Sequence, residues 1–208
     1  MRPVLVFAFA ALIGVAASPG AARATIYSTQ ASYAAAAAGG TSQLVTFEDV
    51  AVPNDPLNTF NNIVAIAANR YPGLSLPNAS VVGTHFAFGV ASQALAGNSA
   101  TLAIGLTDPS TFAVGFNLAV FGGGDATVTV LDGSTILAST TVTTDDETVF
   151  DSFFGYVGTA PVTAVDITPV DTTTVALVDN LQFSVPEPAS AALLFGGLTG
   201  LAAIRRRR

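Results

Sequence analysis

The chain has 208 residues, half of them hydrophobic, with no cysteine, no tryptophan and a formal net charge of −7. All fourteen acids lie between positions 25 and 188, lysine is absent, and six of the seven arginines fall outside that segment, so Arg70 stands alone against fourteen carboxylates, a balance of −13. Such a segment repels nucleic acid and anionic lipid, and without cysteine it must be held by core packing or a metal rather than by disulfides.

The amino-terminal residues read as an export signal. Arg2 supplies the charged region, residues 4–17 form an apolar run interrupted only by Gly14, and Ala22-Arg23-Ala24 offers small residues at the spacing signal peptidase needs. Cleavage after Ala24 leaves Thr25 as the new amino terminus. Residues 1–24 therefore stand outside the fold, and signal peptidase is an expected processing partner.

From there the pattern predicts one helix over residues 28–38, capped by Ser28, favoured by the alanine run 34–38 and ended by Gly39-Gly40. Everything after it reads as strand and turn. β-Branched or apolar runs occupy 44–47, 63–66, 84–88, 101–106, 111–121, 126–131, 135–142, 148–156, 162–168 and 174–183. In Thr127-Val128-Thr129-Val130 the threonines face one side and the valines the other, as in a half-buried antiparallel strand. Gly122-Gly123-Gly124 and Asp132-Gly133 break the chain on either side, so residues 111–142 are expected to form a three-stranded meander. About ten short strands with one helix predict an all-β fold: an antiparallel, two-sheet, jelly-roll-like sandwich with one short N-terminal helix, over residues 25–184.

Two short acidic motifs open and close that domain: Thr46-Phe47-Glu48-Asp49, and Val178-Asp179-Asn180. They resemble a pairing found in jelly-roll carbohydrate-binding and lectin-like modules, whose first and last strands lie side by side and whose acids can ligate one calcium ion. The resemblance implies Glu48 and Asp179 as metal ligands and Ca2+ as a structural cofactor, with Asp49 and Asn180 as supplements. Calcium takes six to eight oxygens, which carboxylates, amides and main-chain carbonyls supply. Asp145, Asp146 and Glu147 are the next acidic candidates. Phe150, Phe153, Phe154 and Tyr156 mix parities, which points to a β-bulge near Ser152 or to rings facing outward. For sugar stacking, Tyr71 beside Pro72-Gly73 and Tyr156 at a strand end are the candidate ligand-binding rings.

Little supports catalysis. His85 is the one histidine, no serine stands in Gly-x-Ser-x-Gly, and the glycine run 122–124 precedes a strand rather than the helix a phosphate loop requires. Two acids meeting on a sandwich remain the only route to glycoside hydrolysis, and the chain is read as a non-enzyme.

The chain closes on Val185-Pro186-Glu187-Pro188, a small apolar stretch over 189–204, and Arg205, Arg206, Arg207 and Arg208. The prolines bias the motif to an extended form. A helix over 189–204 rises ~24 Å at ~1.5 Å per residue, short of a hydrocarbon core of ~30 Å, and the arginines hold its cytoplasmic end. Motif, apolar span and arginine tail, in this order, resemble the C-terminal signal of PEP-CTERM proteins. Residues 185–208 are thus read as a sorting signal with a transmembrane helix, and the resemblance implies export across the inner membrane, transient anchoring there and cleavage by an exosortase. The protein would then reach the cell surface or extracellular matrix as a partner of extracellular polysaccharide, or as a purely structural or adhesive component.

Overall fold

The computed structural model describes residues 24–53, 63–83, 92–97, 100–144 and 150–187. Among these, thirteen strands and one helix build two antiparallel sheets packed face to face. The larger sheet runs β1 (Thr25–Tyr27), β11 (Ser152–Val157), β8 (Ala113–Val120), β13 (Ala176–Pro186), β6 (Ala94–Gly97), β5 (Ala79–Val82), β3 (Ile63–Ala65), with β2 (Gly40–Val45) also paired to β13. The smaller sheet runs β10 (Thr135–Thr144), β9 (Gly124–Asp132), β12 (Ala164–Pro169), β7 (Leu102–Leu106), β4 (Leu74–Ser75).

The smaller sheet follows the alternation of its sequence. Val128 and Val130 of β9, Ile104 of β7 and Val165 and Ile167 of β12 are buried in the shared core, and their neighbours along each strand are more exposed. The larger sheet contributes Val114, Phe116, Leu118, Phe154, Tyr156 and Val178 to the same core, with the Phe116 and Phe154 rings 5.3 Å apart. Burying each such side chain contributes about 1.5–3 kcal/mol, so this layer dominates the stability of the domain.

The central strands of the larger sheet are buried on both faces. Helix α1 (Gln30–Ala37) covers the outer face over β8 and β11, where Tyr33, Ala37, Ala113 and Phe153 form a second cluster. Thr29 caps this helix, accepting from Ser32 N with its side chain, so the helix starts two residues later than the sequence predicts and Ser28 is left outside it. A third cluster of Val82, Ala94, Ala96, Ala119 and Leu177 lies along the same sheet.

This double cover corrects two expectations. The mixed-parity aromatics need no bulge at Ser152, because β11 pairs with β8 in unbroken register from Ser152↔Leu118 to Val157↔Ala113. Phe154 and Tyr156 enter the core between the sheets while Phe153 packs under the helix. Nor is 111–142 a meander: β9 and β10 form the hairpin, but β8 belongs to the other sheet. Gly122, Gly123 and Gly124, with φ of 93°, 73° and 115°, swing the chain from one sheet to the other in a conformation that favours glycine.

Candidate functional site

The expected neighbours at the two ends of the domain do lie side by side: β2 pairs with β13 from Val45↔Leu181 to Gly40↔Pro186. On the same side, β6 pairs with the earlier part of β13, through Leu177 and Val178. Between these two partners β13 shifts register, and Asn180 takes φ 51°. Phe47, with φ 62°, turns the chain away from the end of β2. The irregularity thus opens a gap in the ladder where Glu48, Ser92, Gln93 and Asp179 meet.

Adjacent residues tie the two carboxylates together. Ser92 Oγ donates to Asp179 Oδ2 at 2.6 Å, and Gln93 N donates to Glu48 Oε1 at 2.9 Å. Asn180 N donates to Asp179 Oδ1 at 2.6 Å, and the Asn180 amide nitrogen reaches Oδ2 at 3.2 Å. Asp179 is 3% exposed, and burial pushes its carboxyl above the usual range. Ser92 and Asn180 pull it back in part, and the nearby Glu48 charge adds to the rise. With its nitrogen turned inward, the Gln93 amide donates to Phe47 O at 3.1 Å and to Val50 O at 2.9 Å. Turned the other way, it adds a third oxygen to those two carbonyls.

Asp49 takes no part in this cluster. It accepts from Tyr71 OH at 2.7 Å and pairs with Arg70 Nη2 at 3.0 Å. The Tyr71 hydroxyl is the main reason its carboxyl sits below the ordinary range, and burial together with Asp49 pushes the Tyr71 phenol up to about 12. Asn180 faces Asp179 with its amide nitrogen, a donor rather than a ligand. Among the described residues, no group of three or more His, Cys, Asp or Glu is placed to hold a metal. Asp145, Asp146, Glu147 and His85 lie outside the described residues.

The tyrosines proposed for sugar stacking fare differently from expectation. Tyr156 is 1% exposed and belongs to the inter-sheet core, because β11 is a covered strand, so its ring cannot meet a ligand. Tyr71 is half-buried, with its ring edge-on to Phe47 at 5.5 Å, the Arg70 guanidinium 5.7 Å from its centroid, and its hydroxyl on Asp49. It clamps the 47–50 turn.

An open cleft of about 340 Å³ lies elsewhere, where the edge strands β1 and β10 of the two sheets approach beside β11. Tyr27, Ser28, Thr141, Thr143, Asp151 and Ser152 are among its walls. Ser152 Oγ donates to Thr143 O at 3.0 Å and so ties β11 to β10 across the two sheets. Its walls are lined by five Ser and Thr residues, the exposed Asp151 and the half-buried Tyr27, with no cation among the described residues. Nothing in the sequence marks these residues as a binding site. Thr25-Ile26-Tyr27 carries a β-branched and aromatic pattern that marks β1, but a three-residue strand against the predicted cleavage point is a faint signal.

At the other end, Val185 and Pro186 are the last residues of β13, and Glu187 follows in the open. Pro188, the 189–204 span and the four terminal arginines lie outside the described residues, as do residues 1–23. Among the described residues no helix is long and apolar enough to cross a membrane.

The described fold is thus an all-β, two-sheet sandwich with one short helix. No family model matches the sequence, and no curated protein matches it. Among solved structures it is similar to a variant of a family 29 carbohydrate-binding module, at 12% identity and a TM-score of 0.39, over 71% of this chain and 94% of that one.

Proposed function

We propose that the protein is exported, processed at both ends, and serves at the cell surface or in the extracellular matrix as a noncatalytic β-sandwich that associates with extracellular polysaccharide. The observation that carries the binding reading is the open cleft between β1 and β10, whose lining includes Ser28, Thr140, Thr141, Thr143, Ser152 and the half-buried Tyr27. Each hydroxyl both donates and accepts, which matches the hydroxyls of a sugar, and a ring beside them supplies apolar contact. The export and sorting reading rests on Ala22-Arg23-Ala24 and on Val185 to Pro188 with the span and arginines that follow.

A calcium ion belongs to the same reading, at the junction of β2, β6 and β13. The donor set there is all oxygen: the Glu48 and Asp179 carboxylates, the carbonyls of Phe47 and Val50, and the Gln93 amide oxygen when it faces them. Bound calcium would neutralise two neighbouring carboxylates, one of them buried, and fasten the end of β2 to β13.

A glycan array probed with and without calcium tests the reading. Retention on at least one extracellular polysaccharide by a protein that turns over none of it is the expected outcome. A folded protein retained on no glycan in either condition would favour the structural or adhesive matrix component.

A further inference from the structure

We infer that the saccharide the cleft accepts is uncharged, a neutral stretch of polysaccharide rather than a uronate or sulfated one; this rests on the polysaccharide reading above. An anionic sugar needs a cation to meet it, usually a guanidinium or ammonium that replaces the carboxylate's lost water. Among the described residues the cleft walls hold none. Lysine is absent from the whole sequence, and the single arginine between positions 25 and 188, Arg70, is already paired with Asp49 at 3.0 Å.

What the cleft does present is the exposed Asp151 beside Ser and Thr residues. A carboxylate accepts from two sugar hydroxyls at once, which suits a neutral chain, and it repels a uronate at the same position. The surrounding domain adds to this preference. Its balance of −13 acts over a Debye length of about 8 Å at physiological salt, so a polyanion meets repulsion before it reaches the walls.

The test measures retention of the protein on immobilised neutral β-glucan, neutral mannan and polygalacturonate, in chelator so that no free calcium bridges carboxylates. Wild-type protein held by a neutral polymer and not by polygalacturonate is the expected result. Asp151→Arg, with its melting curve checked against wild type, should lose neutral retention and gain retention on polygalacturonate. Wild-type retention on polygalacturonate in chelator would overturn the inference while leaving the polysaccharide reading intact. Neutral retention that survives Asp151→Arg unchanged would remove it from this cleft, and a wild type held by none of the three polymers would overturn both readings together.

Discussion

Gly115 of β8 and Gly155 of β11 stand opposite one another in register, and the ring of Tyr33 lies across both. A methyl group on Gly155 would meet Tyr33 Cδ2 at 2.8 Å and Phe153 Cε1 at 2.9 Å; one on Gly115 would meet Phe153 Cζ at 2.9 Å and Tyr33 Cε1 at 3.0 Å. The pair is therefore a flat floor on which an alanine-rich helix docks through a single aromatic side chain. Gly155→Ala should cost about 1–3 kcal/mol by overpacking, read as a lower urea midpoint at unchanged slope. Gly39→Ala, where nothing lies within 4 Å, is the matched control and should leave the unfolding free energy within about 0.5 kcal/mol of wild type.

The buried Asp179 sets a pH dependence whose sign can be worked out. Its folded pKa is raised above the ordinary 3.8 by burial first, so the folded state holds that proton more tightly than the unfolded chain. In chelator the contribution of this group to stability is full below 3.8 and is lost as pH rises through the raised value. Asp179→Asn should remove that loss and raise the melting temperature of the calcium-free protein at neutral pH. For the wild type, free calcium a hundredfold above its dissociation constant should add about 2.7 kcal/mol, or roughly 5 to 10 °C. The variant should show little of that shift. Equal melting temperatures of the wild type in calcium and in chelator would argue against an ion at Glu48 and Asp179.

How far the sequence reveals this molecule depends on whether a residue's partners are local. The β9–β10 hairpin is legible because threonine and valine alternate and Asp132-Gly133 marks the turn, all within one stretch of chain. Strands β5 and β6 are not, since Ala79–Val82 and Ala94–Gly97 are short and β6 carries two alanines and a glycine, and only burial within the larger sheet makes them strands. That Glu48 and Asp179 lie near one another is anticipated only by the resemblance of the two acidic motifs to carbohydrate-binding modules, not by the residues themselves. The bulge at Asn180 and the bridging roles of Ser92 and Gln93 are not legible, because they arise where β13 exchanges one neighbour for another. Tyr156 misleads for the same reason: a strand end looks exposed until a second sheet covers it.

The four tyrosines should separate cleanly in a binding assay. Tyr27→Ala is expected to weaken polysaccharide retention, because Tyr27 lines the cleft at the sheet edge, and to lower the melting temperature moderately, because the residue also packs against the Tyr33, Ala37, Ala113 and Phe153 cluster. Tyr71→Phe should leave retention unchanged and cost about 0.5–1.5 kcal/mol, since it keeps the Phe47 contact and loses only the 2.7 Å bond to Asp49. Tyr33 and Tyr156 are each 1% exposed, so alanine at either should unfold part of the population, at a cost on the order of 3–5 kcal/mol as for other large core rings. Retention that falls with Tyr71→Phe but not with Tyr27→Ala would move the ligand from the cleft to the 47–50 turn.

The proposed processing at the carboxyl end would begin close against the folded domain. Val185 pairs with Thr41 and Pro186 with Gly40, and Glu187 is the first exposed residue after the ladder. Gly40 leaves no room for a side chain, because a methyl there would run into Val185 O and the Phe112 ring, so this last pairing depends on glycine. Val185 and Pro186 of the proposed sorting motif thus end a sheet strand, and on that reading a membrane protease acting there would meet the domain directly. Mass spectrometry of the mature protein from its native host should find Thr25 at the amino terminus and no peptide containing Arg205 to Arg208. Glu187→Ala, at an exposed position where it should not disturb the fold, is expected to leave the full carboxyl end attached and the protein in the inner-membrane fraction. Recovery of wild-type protein from the cell surface with its terminal arginines still present would refute the sorting reading, and normal cleavage of Glu187→Ala would show that recognition does not pass through that carboxylate.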